Sequence, residues 1–200
     1  MKRLFTLLIL TLVYLNTIVA HDQKSLELQT YAPASQVMQR FATQQGLEHA
    51  LAIFQDIGIQ KIYLETVRHS VKPDETVLVR ARDFFEKHGV EVAGGVTTTT
   101  NGPGFGSPST GIETWLNYQS PVTEQDMAEH FRWIAGLFDE IMVDDFLATC
   151  DESEISQRAK GNRTWETYRI ELLAEFSKKF MIDPASAVNP NVHFIIKYPQ

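Results

Sequence analysis

The chain has a single cysteine, Cys150, in 200 residues. An internal disulfide framework is therefore excluded, and the fold must be held by packing. Acids outnumber bases, 25 Asp and Glu against 18 Lys and Arg, for a formal net charge of −7. No basic patch is visible in the sequence, which argues against a nucleic-acid partner because phosphate contacts need one. The six histidines are scattered, with no H-E-x-x-H or H-x-H spacing, so no metal centre and no cofactor is expected. No G-x-S-x-G elbow occurs, which removes the common α/β-hydrolase reading. Gly102-Pro103-Gly104-Phe105-Gly106 lacks the G-x-G-x-x-G spacing and opens no helix, so it is discarded as a dinucleotide signal. Cys150 is followed by Asp151, Glu152 and Glu154. That acidic setting raises a thiol pKa and disfavours a nucleophile.

What is present is enough apolar content, 44% of residues, for one domain with a real core. Residues 1–20 are read as a signal peptide: Lys2 and Arg3, an apolar run over residues 4–15, then Ala20 before His21. That run is short of the roughly 20 residues a membrane span requires. The reading predicts a secreted or periplasmic protein with no stable membrane association after cleavage; the alternative is an uncleaved anchor. Residues 21–200 form the folded part.

Strands are expected at residues 26–31, 61–67, 90–99, 140–146 and 192–198, the first by polar alternation and the others as apolar runs. Helices are expected at residues 46–57, 73–89 and 164–180, with another opening at an N-cap on Thr123, three residues before Asp126. A turn is expected at Asp183-Pro184. This βα rhythm implies a parallel sheet with right-handed crossovers. Connections entering the strands are short, whereas residues 100–121 and 147–163, which leave them, are long and polar. Elaboration at one face favours a (β/α)8 TIM barrel over an open doubly wound sheet. With about five βα units against the eight strands and roughly 250 residues of a full barrel, the chain is expected to be the N-terminal part of a longer one, truncated at the C-terminus.

The centre of the reading is Glu140-Ile141-Met142-Val143-Asp144-Asp145-Phe146. Its apolar run fits a strand buried on both faces, and it delivers two carboxylates to the strand exit, where such sheets bind ligands. Adjacent strand residues point to opposite faces, so one aspartate is expected to face the site while the other caps a turn or pairs with a neighbouring strand. Glu65 (with Arg68 nearby), Thr97 to Thr99, Lys197 and Tyr198 leave other strands. Carboxylates, a lysine, and aromatics such as Trp115 and Tyr118 in the long loop suit a polyhydroxylated ligand, and paired carboxylates are the apparatus of glycoside hydrolysis. Each residue also has a plain structural reading: Asp144 or Asp145 as a helix cap or ion-pair partner, Glu65 in an ion pair with Arg68, Lys197 in an internal pair, Trp115 in loop packing.

The runs IYLETVR, VEVAGGVTTT, FDEIMVDDF, KGNRTWETYR and NPNVHFIIKYP resemble the N-terminal barrel half of secreted bacterial glycoside-hydrolase-like proteins. The resemblance covers residues 51–199. It implies a TIM-barrel carbohydrate-active protein with Asp144 or Asp145 on the fourth strand in a position that glycosidase barrels often use. Lys160, Trp165 and Arg169 match a KG…W…R motif, either binding substrate or bracing the loop. In relatives several cysteines follow the VDDF segment; here only Cys150 stands there. The expectation is a glycoside hydrolase acting on a poly- or oligosaccharide, with Asp145 or Asp144 catalytic and Glu65, Lys197, Trp115, Tyr198 and Arg169 binding substrate. Its rivals are a non-catalytic carbohydrate-binding protein on the same scaffold and an inactive fragment.

Overall fold

The computed structural model describes residues 26–101, 104–111 and 115–198. The segment read as a signal peptide lies outside them. In chain order the elements are β1 (Leu28–Ala32), α1 (Ala34–Arg40), α2 (Gln44–Ile57), β2 (Ile59–Glu65), α3 (Glu75–Lys87), β3 (Glu91–Thr97), α4 (Pro121–Ala135), β4 (Glu140–Asp144), α5 (Glu154–Lys160), α6 (Trp165–Ser177), a π-helical turn (Lys178–Ile182), α7 (Asp183–Val188) and β5 (His193–Ile196).

The five strands lie side by side in the order β1-β2-β3-β4-β5, and each pair is parallel. That order has no reversal. With right-handed crossovers throughout, every connecting helix falls on the same face of the sheet. A doubly wound sheet would need a switch point, so the fold is an incomplete (β/α)8-type barrel.

The two faces of the sheet differ because strand side chains alternate. Ile62, Leu64, Val96, Ile141 and Val143 point toward the helices and join the main apolar core with Leu78, Phe85, Phe131 and Ile134. Two adjacent glycines mark the division. A Cβ on Gly94 would lie 2.8 Å from Ile134 and Phe138, whereas one on Gly95 would lie 2.7 Å from the Tyr31 hydroxyl. The opposite face therefore carries Tyr31, Tyr63, Glu65, Thr97, Met142 and Asp144. This corrects the reading of the fourth strand as apolar on both faces. Ile141 and Val143 are fully buried, but Met142 is only half-buried and stands between Glu140 and Asp144 on the polar side.

Other expectations shift for local reasons. Strand 26–31 begins two residues later, where pairing to β2 starts with Leu28 opposite Ile59. Helix α1 was not anticipated; it buries only Ala34 and Val37, too short a stripe to read as periodic. The N-cap of α4 is Ser120, with Pro121 in the first turn, where a missing N–H costs nothing. Thr123 and Asp126 are instead spent on the loop before it, accepting from Ser107 N at 2.9 Å and Gly106 N at 2.7 Å. The helix expected over 164–180 is capped by Thr164 but passes through the π turn into α7. Asp183-Pro184 is thus a helix start rather than a turn, because proline is tolerated in a first turn.

Candidate functional site

At the C-terminal edge of the sheet the polar face becomes a charged cluster. Glu65, the last residue of β2, is fully buried. Its Oε1 accepts from the Tyr31 hydroxyl at 2.9 Å, and its Oε2 accepts from Ala34 N at 2.6 Å, capping α1 from another strand. The Thr97 hydroxyl also donates to Oε1. Arg68 faces both oxygens through Nε, at 3.0 and 3.1 Å. A carboxylate with this many donors is stabilised despite burial. Burial and the Glu65 charge push the Tyr31 phenol well above its usual range, so it remains a donor.

Arg68 reaches further. Its Nη2 donates to Asp144 Oδ2 at 3.2 Å, and Lys197 Nζ donates to Asp144 Oδ1 at 2.6 Å. Burial depresses the Arg68 pKa, but its bond and charge contact with Glu65 outweigh that and raise it. Asp144 is nearly buried, and both its oxygens are occupied, Oδ1 also accepting from Asp145 N at 3.1 Å. Asp145 differs from its neighbour. It lies just past the strand with φ of 51°, its carbonyl accepts from the Thr98 hydroxyl at 2.6 Å, and its half-exposed carboxylate has no hydrogen bond or ion pair among the described residues.

The threonines leaving β3 tie these pieces together. Thr97 holds Glu65, Thr98 holds the Asp145 backbone, and Thr99 Oγ1 lies 3.3 Å from His69 Nδ1 while its backbone bridges to Trp115. Beneath them His130 of α4 is buried. Thr66 Oγ1 donates to the Gly95 carbonyl at 2.8 Å and so accepts from His130 Nε2 at 2.9 Å, leaving Nδ1 buried without a hydrogen-bond partner among the described residues. Burial, reinforced by Lys72, lowers the His130 pKa to about 3. It is a neutral core histidine.

Glu65 and Asp144 thus meet through Arg68 and Lys197 joins through Asp144, with Asp145 beside them and Trp115 half-buried on the adjoining loop. Tyr198 does not join this cluster; it is 68% exposed and packs edge-on against Phe146 at 5.8 Å. Arg169 lies over the Trp165 ring at 4.9 Å, as Lys160 does at 5.3 Å, and reaches Glu152 at 3.5 Å. Among the described residues no hydrogen bond or ion pair links it to Asp144. The neighbouring Asp151 carboxylate, although burial raises its pKa, is held below the usual range by bonds from Ser153, Ser156 and Thr110, which fastens the loop after β4. Tyr31 and His69 escaped the sequence reading, whereas Thr98 was among the strand-exit candidates. The i,i+3 spacing of Glu65 and Arg68 was visible, but nothing local signals that Arg68 also reaches Asp144.

A family model described as "Probable glycosyl hydrolase, catalytic domain" matches residues 16–200. An uncharacterized protein of Saccharolobus solfataricus is 26% identical over 199 residues, covering 87% of this chain and 32% of that protein. The chain therefore spans about a third of the length of this curated relative. Among solved structures, alpha-L-fucosidase isoenzyme 2 from Paenibacillus thiaminolyticus aligns with a TM-score of 0.63 at 8% identity, over 84% of this chain and 32% of that one. An exo beta-N-acetylglucosaminidase from Vibrio harveyi aligns at 0.56 and 8% identity, over 85% and 35%. An exo-beta-1,4-mannosidase from an Opitutaceae bacterium aligns at 0.51 and 16% identity, over 85% and 31%. At such identities the likeness is one of fold.

Proposed function

Because this chain belongs to the probable glycosyl hydrolase catalytic-domain family, we propose that it forms the N-terminal barrel part of an exported glycoside hydrolase acting on a poly- or oligosaccharide. The observation that carries the assignment is the contrast between adjacent aspartates. Asp144 has both oxygens engaged by Arg68, Lys197 and the Asp145 amide; Asp145 presents a carboxylate with no hydrogen bond or ion pair among the described residues. Glycosidic bond cleavage needs a carboxyl group that reaches the substrate to donate a proton, accept one or attack the anomeric carbon. Asp145 fills that role. Asp144 holds Lys197 and Arg68 at the rim, where their remaining N–H groups bond sugar hydroxyls. Glu65 acts through Arg68, and Trp115 offers a ring for stacking on a sugar face.

A second reading has its own observation. Hydrolysis uses two carboxyl groups, yet within the described cluster Glu65 and Asp144 are bound to cations and Asp145 alone is free. A carbohydrate-binding protein without turnover also fits that pattern. The test is Asp145→Asn against a panel of 4-nitrophenyl glycosides of fucose, N-acetylglucosamine and mannose. The hydrolase reading expects turnover to fall by at least about a hundredfold; unchanged turnover refutes the role of Asp145. Binding without product, lost more with Trp115→Ala than with Asp145→Asn, selects the second reading.

A further inference from the structure

Among the described residues three that are not glycine have positive φ: His69 at 55°, Asp145 at 51° and Leu147 at 35°. Two of these, His69 and Asp145, stand at strand exits beside the same charged cluster. His69 follows Arg68 in a tight hairpin. Arg68 N donates to the Val71 carbonyl at 3.0 Å and Val71 N donates back at 2.9 Å, so His69 and Ser70 form a two-residue loop. Positive φ at the first of two central residues is the place that glycine usually fills. A residue with a Cβ is disfavoured there, and the turn itself has no use for a side chain. The chain nevertheless places an imidazole at this position.

That imidazole is oriented. Its Nδ1 meets Thr99 Oγ1 at 3.3 Å, and the same Thr99 bridges to Trp115. The ring is half-buried, and its Nε2 has no partner among the described residues. Holding one ring nitrogen orients the ring and leaves the other to serve a ligand. The hydroxyls of successive residues Thr98 and Thr99 thus hold the Asp145 backbone and His69, tying both residues to one short stretch after β3.

We propose that His69 is a substrate-binding residue, its Nε2 hydrogen-bonding a sugar hydroxyl in the site that Asp145 and Trp115 border. The inference rests on the carbohydrate reading of that site. Glycine suits positive φ, so a His69 that only shaped the turn would be improved by it, and one that only held Thr99 would melt lower on the same change; a binding His69 would lose its ligand without that loss of stability.

The test follows the histidine ring signals of the full chain by NMR while 4-nitrophenyl glycosides of the panel above are titrated in. The His69 signal is assigned by its absence from His69→Gly, with His69→Asn as a second variant that also tolerates positive φ. The expected result has three parts. A bound glycoside moves the His69 signal, both variants bind it about tenfold more weakly, and neither melts below the parent. If a glycoside shifts the Trp115 indole but leaves His69 unmoved, and His69→Gly binds as the parent does, the proposal is overturned while the carbohydrate reading stands. If the variants bind weakly only because they melt lower, His69 is structural and the proposal falls. If no panel member shifts any site signal, both readings fall together.

Discussion

The same strands end in charged clusters at both edges of the sheet, and the two clusters are built differently. At the N-terminal edge Lys61 pairs with Glu140 at 2.6 Å and Glu91 at 3.7 Å, and His193 lies 3.0 Å from Glu140. Burial raises the Glu140 pKa, but Lys61 and His193 outweigh it and bring it below its usual value. These partners range from 15% exposed for Lys61 to 75% for Glu91, and the turns entering the strands are short. Each of these four groups has a neighbour that can pair with it. At the C-terminal edge Glu65 is buried under four donor groups, the loops are long, two residues beside it have positive φ, and the Asp145 carboxylate is left over. A barrel keeps stability at one end and chemistry at the other. Here the charges of the N-terminal edge lie against one another, while at the C-terminal edge the Asp145 carboxylate has no hydrogen bond or ion pair among the described residues.

The largest expected effect breaks that comparison at its buried member. Glu65→Ala strands Arg68 Nε, the Tyr31 and Thr97 hydroxyls and Ala34 N without this acceptor, and is expected to cost about 3–5 kcal/mol in urea unfolding. A cost near that of a surface pair would show that the upper cluster is not built around Glu65.

Acid sharpens the contrast next. The folded-state pKa of His130 is about 3, below an unfolded value near 6.5. As pH falls, the unfolded chain takes the proton first, so stability present above about pH 6.5 is lost progressively down to about pH 3. Between about pH 6.5 and about pH 5, where carboxylates contribute little, the loss is expected to approach about 1.4 kcal/mol per unit. His130→Gln should flatten it. A parent protein whose stability is level across that interval would contradict a neutral, buried His130.

The smallest effect belongs to the N-terminal edge. Glu140→Gln should lower stability by about 1 kcal/mol or less, and less still at high salt. A loss comparable to that of Glu65→Ala would erase the distinction between the two ends.

Much of this arrangement was legible along the chain. The apolar runs of β2 to β5, the glycines before β2 and β3, and the polar strand exits placed Glu65, Asp144, Asp145 and Lys197 at one edge before any contact was known. The bland reading of Glu65, a pair with Arg68, is also what forms. Boundaries moved because pairing partners, not composition, end a strand. Residues whose role depends on a distant partner were illegible. Tyr31 matters because β1 lies beside β2 in a register that puts its hydroxyl on Glu65, 34 residues away. His69 matters because a two-residue turn delivers it to Thr99, 30 residues away.

The sequence by itself determined the element types and the edge at which polar groups collect, because side-chain period and turn residues are local properties of the chain. Only the tertiary structure decided which of two adjacent aspartates is occupied and which is left without a partner among the described residues. That choice rests on where Arg68 and Lys197 arrive past the ends of β2 and β5 and on Thr98 holding the Asp145 backbone past the strand end, and both follow from strand order and register.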